Sequence, residues 1–383
     1  MQYRTFGSTG REVSALGFGA MRLPQLEDGT CDYDKAVPML QKGIDLGINY
    51  IDTAYVYING TSEVAVGRAL KGYERENLFT VTKIPSSEKE KATEVEWRKK
   101  FDESMARFDS EYIDLVYFHG LTAEAFAGHL TKPGYALEAA RKAQSEGLIK
   151  HIGFSSHDTP ENIITLIDSG EFEAVLMQYN FLERTNEPAI ARAAERKMGV
   201  SIMGPIAGGR LGIPQDLSLG DDGEETVKTP ELALRFVLAN PGVSVVLSGM
   251  NDMKHIEENV AAAEKASGLS AAEEAQIQEI VVKNAELANL YCTGCAYCLP
   301  CPNDVNIPEN FRYMNWFKVW GLEEAAKDAY GKLSPEGTWG PWAGRITGLN
   351  AAACVECGEC EPKCPQNIPI INQLKETAQA LGS

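Results

Sequence analysis

The strongest constraint on the fold is a pattern that repeats through residues 1–250: a short apolar run, a polar turn and a stretch of helical periodicity. The helical stretches include DYDKAVPMLQKGIDLG, EVEWRKKFDESMARFDS and GYALEAARKAQSEG, whose apolar residues recur at steps of three and four, as in helices packed on a sheet. The apolar runs are VSALGFG, INYIDTA, LFTVTK, DLVYFHG, HIGFSSH, AVLMQYN, GVSIMGP and VSVVLSG. Eight buried strands alternating with helices predict an α/β fold, a (β/α)8 TIM barrel.

A doubly wound parallel sheet is the alternative, but no Gly-rich dinucleotide fingerprint follows the first strand, and the count of runs closes at eight. A barrel carries its catalytic groups at the C-terminal ends of its strands. The ends of these runs deliver polar residues: Asp52, Lys83, His119, Ser155, Ser156, Gln178, Tyr179 and Ser248. A core built only for packing would not place polar side chains at so many corresponding positions. We therefore expect an active site at this end of the barrel.

Cysteines mark a second region. The chain has nine, and only Cys31, which we expect to be a loop or packing residue, lies outside two clusters after residue 290. Disulfide frameworks spread cysteines over a small secreted domain, whereas CxxC steps in a cytosolic chain indicate metal or redox chemistry. Each cluster has four cysteines and then a proline: Cys292, Cys295, Cys298 and Cys301 in the first run, and Cys354, Cys357, Cys360 and Cys364 in the second.

The spacing of these runs predicts iron–sulfur ligands. The second run matches the C-x2-C-x2-C-x3-C-P spacing of bacterial ferredoxins, and the first is one residue shorter before its last cysteine. In such ferredoxins the fourth cysteine of each run ligates the other cluster. We therefore expect two [4Fe–4S] clusters, one on Cys292, Cys295, Cys298 and Cys364 and the other on Cys354, Cys357, Cys360 and Cys301. Zinc is the alternative, although structural zinc sites use separated CxxC pairs.

The sequence around the cysteines predicts a small, mainly helical domain. Residues 256–290 are expected to form helices that close the barrel, and residues 303–333 to be helical and aromatic-rich. SPEGTWGPWAG is expected to be a loop, and IPIINQLKETAQAL a final helix. The predicted organisation is a barrel over residues 1–285 and an iron–sulfur domain over residues 286–383. This second region resembles the helical ferredoxin-like domains appended to redox enzymes.

The barrel segment resembles the aldo-keto reductase family over residues 1–285. INYIDTAYVYINGTSEVAVGRAL is similar to the family signature, in which a strand-end Asp is followed five residues later by the catalytic Tyr; LFTVTK and YIDLVYFHG resemble the strands that end in the catalytic Lys and His. The resemblance implies the catalytic set Asp52, Tyr57, Lys83 and His119.

Carbonyl reduction needs a proton donor, and a phenol with an ordinary pKa near ~10 requires the help of neighbouring groups. Lys83 would favour the phenolate, Asp52 would hold Lys83, and His119 would orient the carbonyl or share the proton. Tyr55 is the competing donor.

The resemblance also implies a nicotinamide site. The carboxamide would contact Ser155, Ser156 and Gln178; Ser156 stands where the family commonly has Asn, and Met203 where it has a ring-stacking aromatic residue. The segment PIAGGRL would carry the pyrophosphate, and SGMNDMKHIEEN the adenine end. The residues so assigned are Pro205, Gly208, Gly209, Leu211, Lys254, His255, Glu258 and Asn259. NADP(H) is the family expectation, and NAD(H) is the alternative because Lys254 and His255 replace the usual Arg at the 2′-phosphate.

Charge and electron counting limit the partners. The net charge of −18 repels nucleic acid and anionic lipid and suits a partner with a basic patch. MQYRTFGSTG has no apolar h-region, and no apolar run is long enough to span a membrane, so we expect a cytoplasmic protein.

A hydride transfers two electrons together, whereas an iron–sulfur cluster transfers one at a time. Electron transfer between the two therefore needs a group that accepts electrons in pairs and releases them singly, which is normally a flavin. The chain has no flavin motif. Three interpretations follow: the clusters are structural or sensing, a flavin or a radical-competent substrate occupies the barrel, or a flavoprotein or ferredoxin docks on the cysteine domain. We expect an oxidoreductase that reduces a small carbonyl or oxidises an alcohol, with clusters that exchange electrons with a partner. The alternative is a redox sensor or electron-carrier subunit with a non-catalytic barrel.

Overall fold

The computed structural model describes residues 1–209, 211–212, 216–219, 225–265, 268–285, 292, 294–318, 323–340 and 344–382. The eight predicted strands form a closed parallel barrel, which confirms the predicted fold class. In chain order the barrel strands are β3 (Leu16–Gly19), β4 (Tyr50–Asp52), β5 (Phe79–Pro85), β6 (Ile113–His119), β7 (Ile149–Ser156), β8 (Ala174–Gln178), β9 (Gly199–Met203) and β12 (Val245–Gly249). Strand β12 closes the ring by pairing with both β3 and β9.

The remaining described strands form three antiparallel pairs. They are β1 (Tyr3–Thr5) with β2 (Glu12–Ser14), β10 (Asp216–Leu219) with β11 (Glu225–Lys228), and β13 (Thr338–Gly340) with β14 (Gly344–Ile346). The last pair corrects the prediction of a loop at SPEGTWGPWAG, because Thr338–Gly340 of that stretch pairs with Gly344–Ile346; the residues between the two strands lie outside the described part of the chain.

The described helices follow the predicted periodicity. They are α1 (Tyr33–Asp45), α2 (Thr61–Ala69), α3 (Glu94–Phe108), α4 (Ala123–Ala125), α5 (Ala136–Ser145), α6 (Pro160–Asp168), α7 (Glu187–Glu195), α8 (Thr229–Ala239), α9 (Met253–Glu264), α10 (Ala271–Ala285), α11 (Ile307–Lys318), α12 (Glu323–Gly331) and α13 (Ile370–Leu381). Helix α3 illustrates how the sequence sets the ends of a helix. The Thr93 side chain caps its N-terminus by accepting a hydrogen bond from the Glu96 amide, and the positive charge of Arg107 in its last turn favours the C-terminal end.

The barrel interior is packed with side chains. Its buried cluster includes Tyr50, Phe79 and Tyr117 from the strands, together with Phe6 from the segment that joins β1 to β2. The hydroxyls of Tyr50 and Tyr117 lie 2.9 Å and 3.3 Å from the hydroxyl of Ser201, so the polar atoms in this core are hydrogen-bonded. A filled interior leaves the ends of the strands as the place for chemistry.

Contacts between Cα atoms divide the chain into two compact units. One comprises residues 1–179, 183–205 and 234–268, and the other residues 180–182, 206–233 and 269–383. The predicted boundary between residues 285 and 286 stays a prediction; in the structure α10 groups with the second unit, where it contacts β10. In that unit α11 packs against α12 and α13. Among the described residues, no helix is long and apolar enough to cross a membrane.

Candidate functional site

A buried ion pair joins two neighbouring strand ends of the barrel. The Lys83 Nζ donates to Asp52 Oδ1 at 2.5 Å and to the carbonyl oxygen of Thr53 at 2.7 Å. Lys83 is 1% exposed and Asp52 3% exposed. Burial raises the pKa of Asp52, and the Lys83 ammonium opposes that rise. The pair holds a cationic group at a fixed position at the C-terminal end of the barrel.

Tyr57 lies beside this ammonium. It begins the short turn Tyr57–Gly60 that follows β4. The centre of its ring is 4.7 Å from Lys83 Nζ and 5.9 Å from the centre of the His119 imidazole, which meets it nearly perpendicularly at 85°. The structure therefore brings the four predicted catalytic residues, Asp52, Tyr57, Lys83 and His119, into one cluster. Tyr57 is half-buried, so its side chain is accessible from outside the protein.

Tyr55, the competing proton donor, is directed elsewhere. Its hydroxyl donates to Glu103 Oε2 of α3 at 2.6 Å, and the Arg107 guanidinium lies 4.5 Å from the centre of its ring. The hydrogen bond to Glu103 is the main reason that the pKa of Tyr55 is raised. Tyr55 therefore contacts Glu103 and Arg107 of α3, whereas Tyr57 contacts Lys83 and His119.

Two histidines at or next to strand ends have lowered pKa values. Burial lowers the pKa of His119 to about 3, and the Lys83 charge and His157 add to the effect. Burial also lowers the pKa of His157 to about 4. Both therefore lack a charge at neutral pH and can act through their N–H and lone-pair groups. His157 was not among the predicted site residues; the available signal was its position one residue beyond the end of β7.

The predicted carboxamide contacts lie at the ends of β7 and β8. The Ser155 hydroxyl accepts from the Gly120 amide at 3.0 Å, and the Ser156 hydroxyl donates to the Leu121 carbonyl oxygen at 2.7 Å. Because the only hydroxyl hydrogen of Ser156 is used in the protein, Ser156 has the weakest geometric support as a donor to a cofactor. Gln178 is 3% exposed.

Three glycines with positive φ, Gly204, Gly208 and Gly209, shape the backbone that follows β9. Met203 pairs in register with Gln178, and Gly204 has φ +65. A Cβ at Gly204 would overlap the Gln178 amide, so the backbone passes Gln178 at a distance that only glycine allows. Pro205 follows. Farther along, Gly208 and Gly209 have φ values of 64 and 100, no atom lies within 4 Å of the Cβ position at Gly209, and Leu211 is buried. The Gly209 and Leu211 amides both donate to the Ile206 carbonyl oxygen, at 3.0 Å and 3.2 Å, so the predicted binding of pyrophosphate through these N–H groups stays a prediction.

The residues predicted at the adenine end of the cofactor lie in the first two turns of α9. The Asn259 side-chain amide donates to the hydroxyl of Ser248, at the end of β12, at 2.9 Å. His255 Nδ1 lies 3.1 Å from Asn251 Oδ1. The exposed Lys254 ammonium lies 3.6 Å from Glu258 Oε1. The Lys254 ammonium, which the sequence predicts at the 2′-phosphate, thus faces a carboxylate of the same helix.

In the second unit, cysteines of both runs lie close together. One cavity is lined by Cys298 and Cys301 of the first run together with Cys354, Cys357 and Cys360 of the second. Cys298 is buried, which raises its pKa to about 12, and the thiols of Cys292, Cys295 and Cys364 add to that rise. The two predicted ligand sets, each with three cysteines of one run and the last cysteine of the other, stay a prediction, and Cys298 of the first set also borders the cavity of the second.

The donor chemistry of these sets fits iron–sulfur clusters. Among the described residues, no three His, Cys, Asp or Glu side chains converge on the position of a single metal ion. The four thiols of the predicted second set, together with Cys298, instead line a cavity whose other walls include the apolar Val305, Ile307 and Leu374 and the polar Asn303, Glu359 and Lys363. Several cysteine thiolates around one space are the donors that hold iron–sulfur clusters in proteins.

Comparisons with known proteins agree with this architecture. Residues 15–217 match the aldo/keto reductase family, and residues 291–368 match the 4Fe-4S dicluster domain. The chain belongs to the aldo/keto reductase family. It is an NAD(P)H-dependent oxidoreductase with an added 4Fe-4S dicluster domain.

Individual relatives cover the barrel. The oxidoreductase YqkF of Bacillus subtilis is 27% identical over 293 residues, which is 69% of this chain and 91% of the relative. L-galactose dehydrogenase of Arabidopsis thaliana is 28% identical over 286 residues, 68% of this chain and 88% of the relative. The holo form of the aldo-keto reductase AKR11C1 from Bacillus halodurans superposes with a TM-score of 0.61 at 29% identity, covering 73% of this chain and 96% of that one.

Two residues near the reductase site, Glu63 and Arg107, are not predicted from the sequence. Glu63 of α2 is completely buried and accepts a hydrogen bond from Arg107 of α3 at 2.9 Å. Both lie on helices outside the strand ends that guided the prediction. The available signal was a charged residue inside a signature segment, TSEVAVG, that is otherwise apolar or small.

Proposed function

We propose that the barrel reduces a small carbonyl compound to an alcohol, or catalyses the reverse oxidation, with Tyr57 as the proton donor. The observation that carries the proposal is the convergence of Tyr57 and His119 on the buried Lys83–Asp52 pair. A relative named L-galactose dehydrogenase and another named pyridoxine 4-dehydrogenase support a small, hydroxyl-bearing substrate class.

The nicotinamide cofactor, when bound, supplies the hydride that reduces the carbonyl carbon. The hydride leaves the carbonyl oxygen with a negative charge, and the Tyr57 hydroxyl gives its proton to that oxygen. The phenolate that remains is stabilised by the Lys83 ammonium, which Asp52 and the Thr53 carbonyl oxygen hold in place. Neutral His119 orients the carbonyl by donating an N–H hydrogen bond to its oxygen; since its pKa is about 3, it does not serve as a cationic acid.

The test compares two phenols in the same loop. Tyr57→Phe should lower kcat for reduction of 4-nitrobenzaldehyde by at least about 100-fold, because positioned proton transfer contributes on that scale. Nicotinamide binding, measured by quenching of protein fluorescence, should stay within a factor of about two. Tyr55→Phe is the matched control and should retain most activity. A more damaging effect of Tyr55→Phe than of Tyr57→Phe would refute the assignment.

We further propose that the two thiol sets each hold one [4Fe–4S] cluster. Cys292, Cys295, Cys298 and Cys364 would hold one, and Cys354, Cys357, Cys360 and Cys301 the other. Anaerobic iron and sulfide analysis should give about eight of each per chain. The exchange of the fourth ligands has its own signature: the EPR spectrum of reduced Cys364→Ser should resemble that of Cys295→Ser, and Cys301→Ser should resemble Cys357→Ser. Pairing within each run would give the opposite resemblance.

We propose that these clusters exchange single electrons with a ferredoxin or flavoprotein partner. The net charge of −18 supports a partner with a basic face. In the decisive experiment the anaerobic holoprotein is reduced with dithionite, excess reductant is removed, and the clusters are followed by EPR after addition of NADP+ with and without FMN. Reoxidation only with FMN would support a flavin as the two-to-one-electron converter. If no flavin, nicotinamide or carbonyl compound reoxidises the clusters, the electron-transfer proposal is wrong and the domain has a structural or sensing role.

A further inference from the structure

The loop that carries Tyr57 has an unfavourable backbone conformation. Three consecutive residues after Tyr57 lie in the left-handed region, with φ values of 50 for Ile58, 54 for Asn59 and 80 for Gly60. This region disfavours residues with side chains, and a β-branched residue such as Ile58 most strongly. Such a turn persists only where surrounding contacts determine it. The contacts that hold this loop therefore decide where Tyr57 lies.

One guanidinium contacts both ends of the loop. Arg107 Nη1 donates to the Tyr55 carbonyl oxygen at 3.0 Å, and the Arg107 guanidinium stacks on the Tyr55 ring. At the other end, the Cβ position of Gly60 is 2.7 Å from Arg107 Cζ, so the backbone of Gly60 rests directly on the guanidinium. Tyr57 lies between these two points. Arg107 itself comes from the last turn of α3, outside the loop.

Arg107 is in turn fixed by a buried acid. Glu63 is completely buried and accepts from Arg107 Nη1 at 2.9 Å and from the Thr82 hydroxyl at 2.5 Å. Thr82 immediately precedes Lys83 on β5. A continuous chain of hydrogen bonds thus runs from the Tyr57 loop through Arg107 and Glu63 to the strand that carries Lys83. This chain couples the position of the phenol to the position of the ammonium.

We propose that Arg107, held by Glu63, is a positioning residue that sets the distance between Tyr57 and Lys83; the inference rests on the proposed function of Tyr57. Arg107 contacts no reacting atom, and its effect passes through the backbone at Tyr55 and Gly60. Its planar fork suits two simultaneous contacts, which a lysine ammonium does not reproduce in the same geometry.

The test uses the full-length holoprotein with Arg107→Lys and Arg107→Ala. Arg98→Ala is the matched control, because Arg98 also lies on α3 and forms ion pairs with Asp102 at 2.8 Å and Glu146 at 2.7 Å. Arg107→Ala should lower kcat for 4-nitrobenzaldehyde by about 100-fold, the loss expected for a misplacement of about 1 Å. The nicotinamide Kd should be unchanged, and millimolar guanidinium ion should restore part of the activity. Arg98→Ala should do none of this.

A second readout does not depend on turnover. Backbone amides of residues 53–61 should exchange hydrogen faster in Arg107→Ala and in Arg107→Lys than in Arg98→Ala. Should Arg107→Ala not fold, Arg107→Lys carries both measurements. A kcat of the Arg107 variants within twofold of Arg98→Ala, or unchanged exchange in this loop, would overturn the proposal. If Tyr57→Phe kept full activity while the loop amides still responded to Arg107, the proposed role of Tyr57 would fail instead.

Discussion

His119 is expected to remain uncharged throughout the working pH range of the enzyme. Its surroundings lower its pKa to about 3, chiefly because burial disfavours the charged form and secondly because of the Lys83 ammonium. An ordinary imidazole with a pKa near ~6.5 is about 97% protonated at pH 5, whereas a group with a pKa near 3 is about 1% protonated. The two cases are therefore easy to separate by direct titration.

The measurement is an NMR titration of the holoprotein labelled with 15N-histidine. The chain has five histidines, so the ring signals are few, and the His119→Gln variant identifies the one that matters. Its chemical shifts should stay those of a neutral imidazole between about pH 8 and about pH 5. In parallel, kcat/KM should be measured as a function of pH. Any change of kcat/KM centred near pH 6.5 should also be present in His119→Gln, because His119 does not titrate there.

The sign of the linked stability effect follows from the same shift. The folded-state pKa of His119 is depressed, so the unfolded chain binds a proton below about pH 6.5 while the folded protein does not. The contribution of neutral His119 to stability is thus present above that pH and is lost as the pH falls toward 3. A His119 signal that titrates between about pH 6 and 7 would refute the burial argument and would reopen a cationic role for this residue.

Further outcomes follow from single contacts. Gly60→Ala should shorten the thermal-inactivation half-life and lower kcat, because it adds a methyl group 2.7 Å from Arg107 at φ +80, a change on the order of 1–2 kcal/mol. Lys83→Met should lower kcat by at least about 100-fold with nicotinamide Kd nearly unchanged, since it removes the charge that stabilises the phenolate. The preference for NADPH over NADH should stay below about 1000-fold, some 4 kcal/mol, and Lys254→Ala should change it by no more than about tenfold, because that exposed ammonium already faces Glu258 at 3.6 Å.

The barrel and the reductase cluster could be predicted because their signals are local. Each strand is a short apolar run, and three of the candidate catalytic side chains, Asp52, Lys83 and His119, each occupy the end of such a run, so the spacing along the chain predicts that they meet. The five-residue step from Asp52 to Tyr57 also lies within one segment. The ferredoxin spacing is likewise local, and it was sufficient to predict the 4Fe-4S dicluster domain.

What escaped prediction depends on contacts between distant segments. Glu63 and Arg107 are separated along the chain and meet only when α2 packs on α3. Neither residue type nor spacing distinguishes Arg107 from the solvent-facing charges of the same helix. The pairing of β13 with β14 is not predicted for a related reason. A Gly- and Pro-rich stretch indicates a turn, but it does not indicate whether the segments on either side of it pair as strands.

The shared cavity of Cys301, Cys354, Cys357 and Cys360 has a consequence for how the domain is assembled. If the last cysteine of each run completes the other set, metal loading closes residues 302–353 into a loop tied at both ends, with α11 and α12 inside it. Each inorganic group would then be ligated by both runs, and each would separately tie the two ends of this loop together. Oxidative loss of one group would leave the loop tied by the other, and only the loss of both would release the helices between the runs.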